Sequence, residues 1–237
     1  ASQVSVETGA LAISCAQNVI IVGDSMQLPN IVTKEDKDKL NAIMLNFHIA
    51  EGYDCANNSF LQSICKVIPN IPQTLLREHY RCHPKIINFC NLKFYGGNLL
   101  IMTHDNGEND VICAIKTVVG NHSRDHINQR EIDVIKEEVL PILPYQDTEV
   151  GIIAPYNKQV EAIQHNLRDC IDIATVHKFQ GREKDAIIMT TVDDIITEFT
   201  DDPNLLNVAV SRAKQKFCLV VSGNKQPDNC NISDLIA

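Results

Sequence analysis

The sequence lacks tryptophan, and aromatic residues make up only 5% of its 237 positions. An extended platform of stacked aromatic side chains for binding single strands is therefore not expected within this chain. No apolar run approaches the ~20 residues that a membrane-spanning helix needs, so we predict no membrane span. The N-terminus also lacks the basic, apolar and small-residue zones of a signal peptide.

An excess of positive charge is also missing, because the net charge is −9. This argues against a generally basic coat for nucleic acid, although a local groove needs only a few donors near the phosphates. The nine cysteines include no CxxC pair, which favours reduced thiols in a cytoplasmic protein over a disulfide framework. Cys82 and His83 are adjacent but no second ligand pair accompanies them, so no metal site is expected.

Short apolar runs alternate with amphipathic stretches along the chain. Residues 18–24, 150–154, 171–176 and 217–223 have the pattern of buried parallel strands. Helices are predicted after Pro84, after Asn157 and over 205–214, and Asn128 followed by Glu131 resembles a capping box. The alternation predicts an α/β fold with a parallel sheet, in which the loops after Ile21, Leu75, Ile153 and Ala174 share one edge and the helix carrying Arg212 joins them.

The stretch 174–192 consists of an apolar lead-in, a polar turn around Gly181 and a second apolar run. This pattern is typical of a strand, a functional loop and a second strand. Taken alone, it is equally compatible with a charged hairpin turn. A strand that runs into a turn is also predicted over 73–84, and prolines at 69 and 72 precede it.

Four stretches together resemble motifs III to VI of superfamily 1 nucleic-acid helicases, and most closely the branch of the nonsense-mediated-decay and senataxin-type helicases. In chain order they read VGDSMQLP (22–29), HYRCHP (79–84), VHKFQGREKD (176–185) and LNVAVSRAK (206–214). The resemblance covers nearly the whole chain. It implies a RecA-like P-loop NTPase fold, with the end of a first RecA-like domain at 1–70 and a second RecA-like domain at 71–237.

The resemblance also implies roles for individual residues at an ATP site. Gln27 would sense the γ-phosphate, and Arg81 and Arg212 would be arginine fingers that stabilise charge in the transition state. Tyr80 would stack on the adenine, Gly181 would let the backbone approach the nucleotide, and Glu183 would bind the ribose or phosphate side. The alternatives are a turn residue for Gln27, surface ion pairs for the arginines and a core position for Tyr80.

A second implied set, Pro155, Tyr156, Thr175 and His177, would contact the backbone of single-stranded DNA or RNA. The family often has Asp where His177 stands and Thr where Ala154 stands. It also often has a basic pair where this chain has Asn204 and Leu205. These departures fall mainly on the nucleic-acid side.

The chain contains no GxxxxGK[ST] loop. In the family an Asp-Glu pair comes before the stretch that matches Ala1-Ser-Gln3, and this pair is also not in the sequence. The resemblance therefore implies a piece of a longer parent. The parent would bind ATP and Mg²⁺, while this piece, without the first RecA-like domain, would bind neither and would be inactive alone. The alternative is a non-catalytic docking module derived from a helicase fold. A dinucleotide-binding oxidoreductase is disfavoured because no GxGxxG follows a strand.

Overall fold

The computed structural model describes residues 1–167 and 169–236. It divides into two compact units, Ala1–Leu76 and Arg77–Ala237, which are considered separately below. The predicted division between residues 70 and 71 stays a prediction. Among the described residues, none of the helices is long and apolar enough to cross a bilayer.

The first unit is built mainly from helices. Ser5 caps the first helix by accepting a hydrogen bond from the Thr8 amide, and Ser59 and Gln62 form a capping box at the third. The helices are α1 (Val6–Ile13), α2 (Lys34–Phe47) and α3 (Phe60–Val67), with a 3₁₀ turn at Glu51–Tyr53.

The strand predicted over 18–24 is wrong. The described backbone there is not in a strand, and the side chains of Ile20 and Val22 are 91% and 72% exposed. A parallel strand needs hydrogen-bonding neighbours on a sheet. The first unit offers none among its described residues, so apolar composition alone does not produce the strand.

A parallel sheet of five strands in the order β3-β9-β8-β6-β7 organises the second unit. Two smaller pairs accompany it, β1 with β2 and the antiparallel hairpin β4–β5. The described strands are β1 (Glu78–His79), β2 (Leu100–Ile101), β3 (Ile112–Lys116), β4 (Ser123–Arg124), β5 (Ile127–Asn128), β6 (Val150–Ala154), β7 (Asp172–Thr175), β8 (Lys184–Thr190) and β9 (Ala213–Val221).

Helices flank this sheet, and the predicted RecA-like α/β class is thereby confirmed. They are α4 (Pro84–Phe94), α5 (Gln129–Val134), α6 (Asn157–Asn166), α7 (Val176–Phe179), α8 (Pro203–Val210) and α9 (Asn231–Ile236). A π-helical turn (Ile135–Val139) and a 3₁₀ turn (Leu140–Ile142) continue α5, and a 3₁₀ turn (Asp147–Glu149) precedes β6. Consecutive residues Ile152 and Ile153 are both fully buried, as expected for a sheet covered on both faces.

Two boundaries differ from the sequence prediction. The strand expected over 73–84 is only Glu78–His79, which pairs with β2 outside the main sheet. The helix expected over 205–214 ends at Val210, and Arg212 lies in the turn between α8 and β9. In the first case Leu75 and Leu76 precede the strand and are not part of it. In the second case the chain turns at 211–212 to enter β9, and this ends the helix early.

A buried carboxylate fixes the end of β8. Glu131 is fully buried, and its oxygens accept hydrogen bonds from the hydroxyls of Thr190 and Thr191 and from the Val192 amide. Val192 has a φ of +69°, a conformation that a β-branched residue rarely adopts. Asn128 caps α5 as predicted by accepting from the Glu131 amide, but the Glu131 side chain serves the sheet instead of closing a capping box.

Replacing Glu131 by glutamine tests this arrangement. Burial raises the pKa of Glu131 to about 7, above its unfolded value of ~4.3. Between pH ~4.3 and about 7 the folded chain therefore keeps this proton while the unfolded chain has lost it. The contribution of the protonated carboxyl to the free energy of unfolding decreases as the pH rises through this range. The full change is about 4 kcal/mol at 1.36 kcal/mol per pKa unit.

We expect the deficit of Glu131→Gln relative to wild type to be larger at pH 5 than at pH 8, as measured by urea unfolding. The exposed Glu137→Gln on the same helical run is the matched control. A deficit for Glu131→Gln that stays constant between pH 5 and 8 would contradict the assignment.

Candidate functional site

The turn that carries Arg81 is fastened to the chain leading into β9. The Cys82 thiol donates to the Ser211 carbonyl (3.4 Å), and the His83 amide donates to the Lys214 carbonyl (2.7 Å). These bonds join stretches of the chain that are more than 120 residues apart. They hold Arg81 beside the turn that carries Arg212.

The polar turn around Gly181 also lies beside Arg81 and Arg212. Nη1 of Arg81 lies 3.5 Å from Oε2 of Glu183, and the Lys184 amide donates to the Arg212 carbonyl (3.1 Å). Nη1 of Arg212 is 3.5 Å from the Arg182 carbonyl oxygen. Three of the four predicted stretches, at 79–84, 176–185 and 206–214, therefore converge within the second unit.

The two guanidinium groups lie in different surroundings. Arg212 is only 4% exposed. Besides the Arg182 carbonyl, it donates to two neutral oxygens, the Val208 carbonyl (3.1 Å) and the Ser211 hydroxyl (3.0 Å). Arg81 is half-buried, and its Nε has no hydrogen-bond partner among the described residues despite being shielded from solvent. Such an unsatisfied buried donor is unfavourable unless an acceptor arrives.

Positive charge dominates the electrostatics of this cluster. Burial and then the charge of Arg81 lower the pKa of Arg212. Burial, followed by the charges of both arginines, lowers the pKa of His79 to about 4, so His79 is neutral at pH 7 and accepts the Cys82 amide (2.9 Å). A cluster of this kind suits an anion such as a phosphate. His79 and Cys82 were not selected from the sequence, although their position within HYRCHP was a usable signal.

Tyr80 and Gly181 lie near the cluster in sequence but are exposed. Tyr80 is 65% exposed and its hydroxyl donates to the Glu78 carboxylate, which excludes the alternative that Tyr80 is a core residue. Gly181 has a φ of +86°, and a Cβ there would meet no atom within 4 Å. The positive φ and the open space beside its Cα both fit a position where glycine allows another molecule to approach the backbone.

The residues of the predicted nucleic-acid set follow two neighbouring strands. Ala154 and Thr175 are paired in register at the carboxyl ends of β6 and β7, so Pro155 and the start of α7 lie side by side. Pro155 and Thr175 are buried, while Tyr156 and His177 are half-buried. Burial lowers the pKa of His177. The two halves of the predicted set are thus brought together.

An aromatic group that the sequence did not predict surrounds Tyr156. Its ring lies 4.3 Å from the His126 ring and is stacked on Phe199 at 5.4 Å, measured between centroids. Its hydroxyl donates to Asp193 (2.8 Å). His126 is at the tip of the β4–β5 hairpin, where Asp125 and His126 both have positive φ. This local group is not the extended stacking platform that the low aromatic content argued against, so that expectation stays a prediction.

Glu183 and Arg212 of the predicted nucleotide site and the predicted nucleic-acid residues lie at opposite edges of the main sheet. Glu183 and Arg212 immediately precede β8 and β9, whereas Pro155 and the start of α7 follow β6 and β7. The expected shared edge is therefore confirmed for the loops after Ile153 and Ala174, but it does not include Arg212, which lies at the other edge. A chain that joins parallel strands must return to the starting edge before the next strand begins, and residues 176–183 make this return.

Gln27 belongs to the first unit and is described by itself. It is half-buried in the loop after the 18–24 segment, and its Nε2 lies 3.1 Å from Oδ2 of Asp24. The predicted role of Gln27 at a phosphate stays a prediction.

His83, Asp105 and Glu108 form a group with metal-binding residue types. His83 Nε2 lies 3.3 Å from Glu108 and 3.6 Å from Asp105. However, His83 Nδ1 accepts the Lys85 amide (3.1 Å), so a neutral ring carries its proton on Nε2 and donates to the carboxylates. The Lys85 ammonium also lies 3.5 Å from Asp105. This arrangement is better described as an ion pair between Lys85 and Asp105 beside a hydrogen-bonded His83 than as a set of metal ligands.

Comparison with known proteins gives the family. A family model described as an AAA domain matches residues 56–226. DNA polymerase alpha-associated DNA helicase A of Saccharomyces cerevisiae is 26% identical over 87% of this chain and 34% of its own length. The regulator of nonsense transcripts 1 homolog of Neurospora crassa is 25% identical over 90% of this chain and 21% of its own length.

The chain thus spans about a third or less of these relatives. Among solved structures, the C-terminal domain of a possible DNA helicase from Lactobacillus plantarum has a TM-score of 0.44 at 18% identity, covering 67% of this chain and 92% of that domain. At that score it adds nothing to the assignment. The family match, together with the motifs in order on a parallel α/β sheet, identifies the chain as a member of the AAA domain family and as the C-terminal portion of a superfamily 1 helicase.

Proposed function

We propose that this chain is the part of an ATP-dependent DNA or RNA helicase or translocase that supplies arginine fingers and one side of the nucleic-acid groove. The observation that carries the proposal is the meeting of Arg81, Glu183 and Arg212 from three separated stretches. The buried, unpartnered Nε of Arg81 adds to it, because a phosphate oxygen would satisfy that donor.

The remaining nucleotide roles are carried over from the motif resemblance. Tyr80 would stack on the adenine with its exposed ring, Gly181 would admit the nucleotide, and Glu183 would bind the ribose or phosphate side. Gln27 would sense the γ-phosphate. ATP and Mg²⁺ would be held mainly by the first RecA-like domain of the parent protein. That domain would supply the phosphate-cradling loop and the acidic pair, which are not in the sequence of this chain.

Arg212 has to change its side-chain contacts to act as a finger. It is buried, and its hydrogen bonds to Val208 and Ser211 direct it toward its own helix. Those bonds are to neutral oxygens, whereas a phosphate would add the attraction between opposite charges and can be met in a bidentate way. The exchange is therefore favourable once a phosphate is present.

Single-stranded DNA or RNA is the proposed partner at the opposite edge. Pro155, Tyr156, Thr175 and His177 would contact its backbone there. The Saccharomyces cerevisiae relative is a DNA helicase by name and the Neurospora crassa relative a regulator of nonsense transcripts by name. Both names support a nucleic-acid substrate without choosing between the two kinds. The cytoplasmic location inferred from the reduced cysteines stays a prediction.

Removing either arginine from the full-length parent tests the finger assignment. We expect Arg81→Ala and Arg212→Ala each to lower the nucleic-acid-stimulated rate of ATP hydrolysis by ~10³-fold or more, since a finger contributes ~10³–10⁵. Arg130→Ala is the matched control, because Arg130 pairs with the exposed Glu138 on α5. Losses of only a few-fold would remove the finger assignment and favour a non-catalytic docking module, for which the buried Arg212 is the supporting observation.

The 237-residue chain by itself is expected not to hydrolyse ATP with Mg²⁺, because the phosphate-cradling loop and the acidic pair are not in its sequence. Phosphate release can be followed with and without a single-stranded oligonucleotide. Robust release that disappears in Arg212→Ala would show that this assignment of roles between the two RecA-like domains is wrong.

A further inference from the structure

Cys113 and Cys218 face each other across the edge of the main sheet. They are directly paired in the register of β3 and β9, so both side chains point to the same face, which is covered by the core residues of α5. Neighbouring strands lie about 4.7–4.9 Å apart. That spacing falls within the ~4.4–6.8 Å between Cα atoms that a disulfide requires.

The two thiols are unequal. Cys113 is half-buried on the edge strand, whereas Cys218 is only 1% exposed. The neighbouring Cys218 thiol, as a hydrogen-bond donor, lowers the pKa of Cys113 against the effect of burial, and the Lys216 charge assists. The same hydrogen bond and burial raise the pKa of Cys218. Cys113 therefore has the character of an attacking thiolate and Cys218 that of a resolving thiol.

We propose that Cys113 and Cys218 form an oxidant-reactive thiol pair that hydrogen peroxide converts to a disulfide between β3 and β9. The geometric basis is their in-register placement on adjacent strands, with Cys113 half-buried on the edge strand and Cys218 buried beside it.

The chemistry balances in two steps. The Cys113 sulfur attacks one peroxide oxygen, the O–O bond breaks, and the departing hydroxide takes a proton to become water, which leaves a sulfenic acid. The Cys218 sulfur then attacks the Cys113 sulfur, the S–O bond breaks, and the hydroxyl leaves with the Cys218 proton as a second water. Together the thiols lose two electrons and two protons to the peroxide.

The two cysteines can be followed separately after digestion. Trypsin releases Cys113 in peptide 94–116 and Cys218 in peptide 217–225, each with a single cysteine. The experiment treats the chain with a small excess of hydrogen peroxide, blocks residual thiols with N-ethylmaleimide, digests without reductant and analyses the peptides by mass spectrometry. We expect a species with the summed mass of the two peptides less two hydrogens, and dithiothreitol should abolish it.

The exposed thiols Cys15 and Cys170 provide an internal comparison. The linked species should appear at lower peroxide concentration than oxidation of either exposed thiol. Recovery of both peptides unlinked and maleimide-labelled while Cys15 or Cys170 is oxidised would overturn the proposal. Conversion of Cys113 to a sulfinic acid without the linked species would also overturn it.

Variants separate the roles of the two thiols. In Cys218→Ala, Cys113 should stop at the sulfenic acid and be labelled by dimedone, whereas Cys113→Ser should give neither the adduct nor the link. Cys65→Ser, which changes a half-buried thiol in the first unit, should leave the link unchanged. Circular dichroism checks folding of the Cys218 variant, and the wild-type peptide map decides the proposal independently if that variant does not fold.

Discussion

The hydrogen bonds between the 79–83 turn and the chain entering β9 are the constraint on which the site depends. Two guanidinium groups repel each other, and burial makes the repulsion stronger because the surroundings screen it less. Arg81 and Arg212 lie in one cluster because hydrogen bonds from the Cys82 thiol to the Ser211 carbonyl and from the His83 amide to the Lys214 carbonyl hold their turns together. The framework is made by neutral groups, and the charges are positioned by it.

This arrangement explains why the cluster suits a ligand instead of a stable ion-pair network. Glu183 lies 3.5 Å from Arg81, and its side chain is 45% exposed, so this pair contributes little to stability. Arg212 is satisfied by neutral oxygens of its own helix and turn. Positive charge that is held in place but weakly compensated is a feature of sites that recognise phosphates.

Much of the second unit could be predicted from the sequence. The strand at 150–154 and the helix that begins at Pro84 are close to their predicted places, because their apolar periodicity and caps act locally. The last strand, predicted over 217–223, begins earlier and spans Ala213–Val221. The 18–24 segment was mispredicted because a strand depends on partners that local pattern does not specify. The convergence of Arg81, Glu183 and Arg212 came from the motif resemblance, since no periodicity brings together residues that are about 130 positions apart.

Other features depended on tertiary contacts that the sequence does not announce. The burial of Glu131 under β8 and the stacking of Tyr156 on Phe199 each join distant segments. A glutamate at the start of an amphipathic helix usually indicates a cap. The sequence signal for its second role was the Thr190-Thr191 pair at the end of an apolar strand, which offers hydroxyl donors to a buried acceptor.

The placement of the two sets at opposite edges has a mechanical consequence. β8 is seven residues long, which is roughly 20 Å at ~3.3 Å per residue, and its hydrogen-bonded neighbours on both sides make it stiff. A displacement imposed at the arginine edge would therefore tilt the sheet as one rigid body. The opposite edge would move with it, as the far end of a lever does, and no side chain needs to connect the two edges.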